Sequence, residues 1–332
     1  MRNSNDSRAK GRRRCVRGSP EEETGIKKSY TSLGRAAGNY PASELERDLA
    51  LLPSAARLLT QDRFTVFCAQ GVTIPRVLRE IGALRERTFR QVGEGTGRVI
   101  DLDAFDLFYE HLFVWDAYTR SITGAYRLAD VDALRSEGCA LYTESLFDYA
   151  PAFFDRVGPT VELGRSFVRL ENQGGPTLAM LWRGIGAWLV RHPEVGHLMG
   201  AASIDRRYPD AAIACMVSWL ARHRGRNELS GLLHPRLPYR GVGDTLARDL
   251  SELQTQVKRL DAEGRGLPIL LRHYLNLGGK TIAFNVDPDF SFVVDALVSV
   301  DLSLVDERRL LRFMGPEGFA LVRSRRRWME AS

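Results

Sequence analysis

The chain has 332 residues, 44% of them apolar and 27% charged, with a formal net charge of +6. That composition supports a real core and excludes a wholly disordered protein, while the basic balance favours acidic partners without choosing among nucleic acid, anionic lipid and acidic protein. Four scattered cysteines, Cys15, Cys68, Cys139 and Cys215, form no C-x-x-C pair, which argues against a zinc site or a disulfide framework and for a reducing compartment.

Residues 1–50 differ from the rest. Arg8, Lys10, Arg12, Arg13, Arg14 and Arg17 cluster among Ser, Asn and Gly, and Glu21, Glu22 and Glu23 follow. With little to bury, this basic segment is expected to be disordered, either as a tether to an anionic surface or as a solvated tail. The folded part is expected to begin near Phe64, with a strand to Ala69. Pro75 to Gln91 then predicts a helix, with proline in its first turn and apolar residues at helical spacing. His111–Trp115 and Ile122–Leu128 flank a polar stretch and predict a β-hairpin. Thr160–Leu170 predicts a long central strand, ended by Gly174, Gly175 and Pro176. Helices at Thr177–His192 and Pro209–His223 bracket a strand at Val195–Ile204.

Residues 224–266 are charged and irregular, an expected insertion or lid with one helical stretch near Gly243–Glu263. A short helix over Pro268–Leu277 and strands at Lys280–Val286 and Phe292–Val300 complete the order, the last strand interrupted by Asp295. This sequence of elements predicts an α/β (α+β) fold, a mixed sheet covered by helices. Residues 306–332 carry apolar Leu310, Leu311, Phe313, Met314 and Phe319 before a basic end, so this tail either packs on the domain or lies on an anionic membrane. No run is long and apolar enough to span a bilayer, and the basic N-terminus has no apolar core of a signal peptide. The expected location is the cytoplasm, with peripheral contact to the inner membrane as an open role for the basic ends.

Three features carry chemistry. Glu162-Leu163-Gly164-Arg165 puts opposite charges on an apolar strand, where neither is cheap to bury alone. A bulge at Gly164 would turn both to one cleft, and a structural ion pair is the competing reading. Glu171 to Thr177 is a glycine-containing break before a helix, where free backbone N–H groups attract phosphate or a polarised carbonyl. Asp101, Asp103 and Asp106 precede His111, with Arg127 at the end of the hairpin. These acids could hold an ammonium group or simply cap a loop. His111 has no second ligand at metal spacing, so no metal site is expected.

Several ordered motifs resemble one family, over roughly residues 64–303. They are Phe105-Asp106 with Glu110-His111-Leu112-Phe113-Val114, Gly124-Ala125-Tyr126-Arg127-Leu128, and Tyr142-Thr143-Glu144-Ser145-Leu146-Phe147-Asp148. Glu162-Leu163-Gly164-Arg165-Ser166, Leu181-Trp182-Arg183-Gly184-Ile185-Gly186, Leu270-Leu271-Arg272-His273-Tyr274-Leu275 and Val286-Asp287-Pro288-Asp289-Phe290 continue the match. They resemble the ornithine acyl-carrier-protein N-acyltransferases, the hemolysin-like ornithine lipid synthases. That family has the GNAT fold and is similar to acyl-homoserine-lactone synthases.

The resemblance implies a GNAT-like, mostly antiparallel central sheet within residues 51–305. It implies transfer of a (3-hydroxy)acyl group from acyl carrier protein to the α-amine of an amino acid such as ornithine, with no bound cofactor. An acyl-homoserine-lactone-type or other N-acyl amino acid synthase, or a non-catalytic carrier-binding or membrane-binding module, are the alternatives. No nucleic-acid recognition motif accompanies the fold. By the same resemblance, Arg85, Phe89, Asp103, Asp106, Arg127, Glu162 and Arg165 shape the acceptor site and the floor of the acyl cleft.

The chain departs from the pattern at Glu110, where the family has Asp. Asn172-Gln173-Gly174-Gly175 is only a degenerate version of the pyrophosphate loop of CoA users. A carrier-protein donor, with its single phosphodiester, needs less of that loop. An ammonium has no lone pair, so the mechanism needs a base, expected to be Glu162 with Asp106 as orienting partner. Arg165 and Arg127 are expected to hold the acceptor carboxylate or Glu162. A backbone N–H near Ser166 to Val168 is expected to stabilise the oxyanion. Tyr208 is a candidate proton donor to the thiol, and Phe147, Trp182 and Trp188 are candidate walls of the acyl slot.

Overall fold

The computed structural model describes residues 40–225, 227–229 and 231–330. The basic cluster Arg8–Arg17 therefore lies outside the described residues. Helix α1 (Ala42–Leu51) buries Leu45 against the following helix, so residues 42–50 are folded, contrary to the expected disorder up to residue 50. The folded part also starts before Phe64. Strand β1 (Arg57–Gln61) pairs antiparallel with β2 (Phe64–Gln70). Helix α2 (Pro75–Gln91) follows, with proline in its first turn and Val77, Leu78, Ile81 and Leu84 buried. The hairpin is β3 (Glu110–Asp116) and β4 (Ser121–Asp130). Then come α3 (Val131–Ser136), β5 (Phe147–Tyr149), α4 (Ala152–Val157) and β6 (Thr160–Val168).

The second half contains α5 (Thr177–Arg191), β7 (His197–Ile204), α6 (Asp210–Arg224) and β8 (Leu233–Pro235). It continues with α7 (Leu250–Leu260), α8 (Ile269–Asn276), β9 (Lys280–Asp287) and β10 (Val293–Asp301). It ends on α9 (Glu307–Glu330), kinked at Gly315. Residues 224–266 are more than a lid: β8 pairs with β5, and Leu253 and Val257 of α7 are core residues. The start of the C-terminal segment packs on the domain through Leu310 and Phe313. No described helix is long and apolar enough to cross a membrane.

Eight strands form one sheet in the order β1-β2-β3-β4-β6-β7-β10-β9. Every neighbour pair is antiparallel except β6 and β7. The strands alternate, so each face collects its own apolar set. One face carries Leu112, Val114, Tyr126, Leu128 and Leu163 under α5 and its neighbours. The opposite face carries Phe67, Phe113, Ala125 and Phe167 under α2.

Two irregularities open the middle of the sheet. First, β6 and β7 pair only through Thr160 with His197, Val161 with Leu198 and Glu162 with Met199, and then splay apart. Second, β4 places the single residue Tyr126 between Arg127 and Ala125, while β6 places Arg165 and Ser166 between their partners Gly164 and Phe167. That two-against-one count is a β-bulge, and Arg165 adopts φ 47° within it. Parallel pairing ends where Gly200 meets the backbone of β6: a Cβ there would lie 2.1 Å from the Leu163 carbonyl oxygen. Gly200→Ala should therefore push the strands apart and cost about 1–3 kcal/mol. Urea titration checks this, and an unchanged midpoint would show that the strands yield freely.

Candidate active site

The opening between β6 and β7 is the throat of a cavity of about 580 Å³. Phe89 of α2, Glu94, Tyr142, Phe290 and Asp295 line it on the α2 face. Ser166, Ala201 and Ser203 line the throat. Tyr126, Tyr274, Leu267 and the cationic Lys258, Arg265 and Arg272 line the other side. The cavity therefore joins the two faces of the sheet, with Glu94 and Asp295 beside Arg165 and Arg207 at one end, and Lys258, Arg265 and Arg272 among tyrosines at the other.

Beneath the α2-face end lies a buried ion network. Arg85 Nε donates to Asp101 at 2.7 Å and its Nη2 to Asp106 at 2.9 Å. Arg127 Nη1 donates to Asp103 at 2.6 Å and lies 3.2 Å from Asp106. Arg165 is more loosely held, 3.6 Å from Asp101 and 3.8 Å from Asp103. Three guanidiniums thus face three carboxylates, and the charges cancel. Burial would raise the Asp106 carboxyl, but Arg85 and Arg127 hold it well below the usual carboxylate range. Asp103 and Asp106 also cap the 3₁₀ turn Ala104–Leu107 reciprocally, which ties the network to the local backbone.

His111 sits under this network, its Nε2–H donating to the Asp106 carbonyl at 2.9 Å. Burial pushes its imidazole down to about 4, against the pull of Asp106. A histidine that folds as the neutral ring stabilises the protein fully above its unfolded value near 6.5. That stability is lost as pH falls through the folded value. Between those limits the loss should approach roughly 3 kcal/mol, about 1.4 kcal/mol per pH unit. Denaturant midpoints from pH 7 to pH 5 should fall more steeply for the native chain than for His111→Gln. Equal slopes would remove His111 as the cause.

The structure gathers only part of the expected site around the cavity. Phe89, Arg165 and Ser166 line it. Arg85, Asp103, Asp106 and Arg127 form the ion network instead and are absent from its wall. Arg127 is sealed in, with its guanidinium against Phe105, Tyr109 and Tyr142. Glu162 is 1% exposed and is also absent from the wall. Its carboxylate accepts from Tyr109 Oη, from Thr143 N–H at 2.8 Å and from Tyr142 N–H at 3.3 Å. Those donors make it an anchor for the loop carrying Tyr142, and they hold the carboxylate off the cavity wall.

Phe147, the first residue of β5, packs in a separate cluster and does not line the cavity. Trp182 stands behind the wall, its ring 5.6 Å from that of Tyr274 and 6.1 Å from that of Tyr126. Trp188 lies farther off, its Nε1 donating to Glu110. Gly174 and Gly175 shape the turn before α5, but only Gln173 of that turn reaches the cavity. Tyr208 does line the cavity, yet its hydroxyl donates to the Gly266 carbonyl at 2.7 Å.

The site also holds groups that sequence reasoning missed. Glu94 and Asp295 face the cavity, and Ser203 Oγ donates to Glu94 at 2.6 Å. Asp295 was visible as a charge in an apolar strand. Glu94 carried only the weaker signal of a glycine on each side.

Comparison with known proteins follows the same lines. Residues 84–183 match the family described as an acetyltransferase (GNAT) domain. The chain is 31% identical over 279 residues to a glycine N(alpha)-acyltransferase of Bacteroides thetaiotaomicron, covering 76% of this chain and 82% of that one. It is 30% identical to an L-ornithine N(alpha)-acyltransferase of Rhodobacter capsulatus, covering 71% of this chain and 92% of that one. A solved CoA-dependent acyl-homoserine lactone synthase superposes with a TM-score of 0.37 at 12% identity, over 78% of this chain and 93% of that one. On the strength of the two sequence relatives and the matched domain, the chain belongs to the GNAT-type family of N(alpha)-acyltransferases and is an acyltransferase.

Proposed function

We propose that this enzyme moves a long, (3-hydroxy)acyl chain from the pantetheine thioester of an acyl carrier protein onto the α-amine of a small amino acid, glycine or ornithine, to give a lyso-aminolipid. The observation that carries the reading is the cavity through the splayed β6–β7 gap. It offers a polar end with both acids and arginines on one face and a mouth carrying Lys258 and Arg272 on the other. A thioester entering from one side and an amine from the other would meet in the throat, which is the geometry acyl transfer needs.

Each end suits its substrate. Arg165 Nε has no hydrogen-bond partner, although the side chain is only 10% exposed. An acceptor carboxylate would satisfy it. The backbone of β6 beyond Glu162 has no strand partner on the β7 side, so a freed N–H in the bulge near Ser166 can meet the developing oxyanion. At the other mouth, Lys258 and Arg272 fit the phosphodiester of a carrier arm and the acidic surface around it, while Arg265 is paired with Asp261. A single phosphodiester also agrees with the degenerate Asn172-Gln173-Gly174-Gly175 turn. Peripheral contact with an anionic membrane would place the product where it partitions.

The test is direct. The purified chain is incubated with a long-chain acyl carrier protein or the matching acyl-CoA and a panel of amino acids, and products are read by mass spectrometry. An amide with glycine or ornithine, formed faster from the carrier protein, is expected. No amide from either donor would sink the reading.

A further inference from the structure

We propose that Glu94 is the general base that takes the proton from the incoming ammonium, and that the family's strand glutamate, Glu162, is a positioning residue in this chain. The inference rests on the reading that the cavity acylates an amino acid amine.

The case begins with backbone geometry. Gly93 and Gly95 both have positive φ, 74° and 111°, so the chain turns sharply on each side of Glu94. The Glu94 N–H donates to the Phe89 carbonyl at 2.9 Å and closes the end of α2. Ser291 Oγ donates to the Gly95 carbonyl at 2.9 Å and ties this turn to the start of β10. The result is a partly buried carboxylate whose open side is the cavity.

The groups facing Glu94 come from three strands and their ends. Ser203 donates to it, Asp205 and Arg207 follow β7, Arg165 projects from β6, and Asp295 stands on β10. Burial drives the Glu94 carboxyl up to about 7. Ser203 opposes that rise, Asp205 adds to it, and Arg207 and Arg165 also oppose it. Asp295 is raised well above the usual carboxylate value, first by burial and then by Asp287 and Glu94, with Arg165 opposing the rise. A base poised near the working pH, beside an arginine with an unmet donor, is what an amino acid acceptor requires. Glu162 cannot serve, because Tyr109 and two backbone N–H groups already occupy its carboxylate away from the cavity.

The step balances. The acceptor arrives as an ammonium and gives one proton to Glu94, which exposes the nitrogen lone pair. The C–N bond forms as the carbonyl π pair moves to oxygen. When the pair returns, the C–S bond breaks with its electrons on sulfur. The second nitrogen proton neutralises the thiolate, and Glu94 releases the first proton to solvent.

Glu94→Gln is compared with the native enzyme in single-turnover transfer from a long-chain acyl carrier protein. At pH 7 with glycine or ornithine, a loss of about 100-fold or more is expected. The loss should shrink as pH rises, because solvent then delivers the amine already neutral. It should nearly vanish with hydroxylamine, which is neutral at pH 7. Ser203→Ala should move the acidic limb of the native pH profile upward, since it removes a bond to the charged carboxylate. Glu162→Gln should impair hydroxylamine and amino acids alike.

Glu94→Gln within about threefold of native, or an equal loss with hydroxylamine at every pH, overturns the assignment. So does an acidic limb unmoved in Ser203→Ala. A native enzyme that acylates no amino acid overturns the proposed function and this assignment with it. A native enzyme that acylates glycine while Glu94→Gln does so equally well overturns the assignment alone.

Discussion

Arg165→Lys should lower kcat/KM for the amino acid acceptor by about 10- to 100-fold, mostly through KM, without unfolding the protein. Arg165 occupies a strained place, at positive φ in the bulge of β6, with its guanidinium against the rings of Tyr142 at 4.8 Å and Phe290 at 4.7 Å. Its two ion pairs are long, and its Nε, 3.6 Å from Asp101, makes no hydrogen bond. A side chain held flat by two aromatic walls, with a donor to spare beside a cavity, is prepared for a planar anion. Lysine keeps the charge but loses the fork and the stacking. An acceptor without a carboxylate, such as ethanolamine, separates the roles. If Arg165 binds the carboxylate, native and variant enzymes should use ethanolamine about equally poorly. A variant that loses activity equally with glycine and ethanolamine would show that Arg165 serves the fold or the donor instead.

Asp106→Asn should destabilise the protein by about 3–5 kcal/mol, the largest stability effect expected of any single isosteric change here. The side chain is fully buried and faces Arg85, Arg127 and His111. Asparagine fills the same volume, so the loss is one of charge. Two buried guanidiniums would share what Asp101 and Asp103 provide, and neither can lose its proton to escape the cost. Urea titration of the variant measures the effect. A change below about 1 kcal/mol would mean that water or relaxation compensates the guanidiniums, and that the network is not what holds Arg165 and the loop above it.

Much of the fold was legible because hydrophobic period and punctuation agreed. The hairpin, the central strand ended by Gly174 and Gly175, the proline-started α2 and the last two strands all appear within a residue or two of their expected bounds. The misses have physical reasons. Helix α1 is polar over most of its surface and owes its order to Leu45 and to Asp48, which accepts from Arg76 and Val77 on α2. No local pattern announces such a tertiary contact. Strands β5 and β8 have three residues each and form only because residues 84 to 88 apart in sequence pair, Phe147 with Pro235 and Tyr149 with Leu233.

The candidate site divides in the same way. Residue type and order alone marked a bulged strand with Glu162 and Arg165, a run of acids before His111 and a mixed sheet covered by helices, and the resemblance of the ordered motifs to a known family implied a GNAT-like acyltransferase. They could not say which charges meet one another and which meet the cavity. Asp101, Asp103 and Asp106 with Arg85 and Arg127 could equally have lined a binding site, and only packing turned them into a floor whose charges balance once Arg165 is counted. Glu162 and Glu94 look alike in a list of carboxylates. What distinguishes them is the supply of hydrogen-bond donors around each: Glu162 is met by a tyrosine and two amides, while Glu94 keeps a single serine and an open side. Solvation and partner count belong to the three-dimensional environment, and that environment is assembled from segments far apart in the chain.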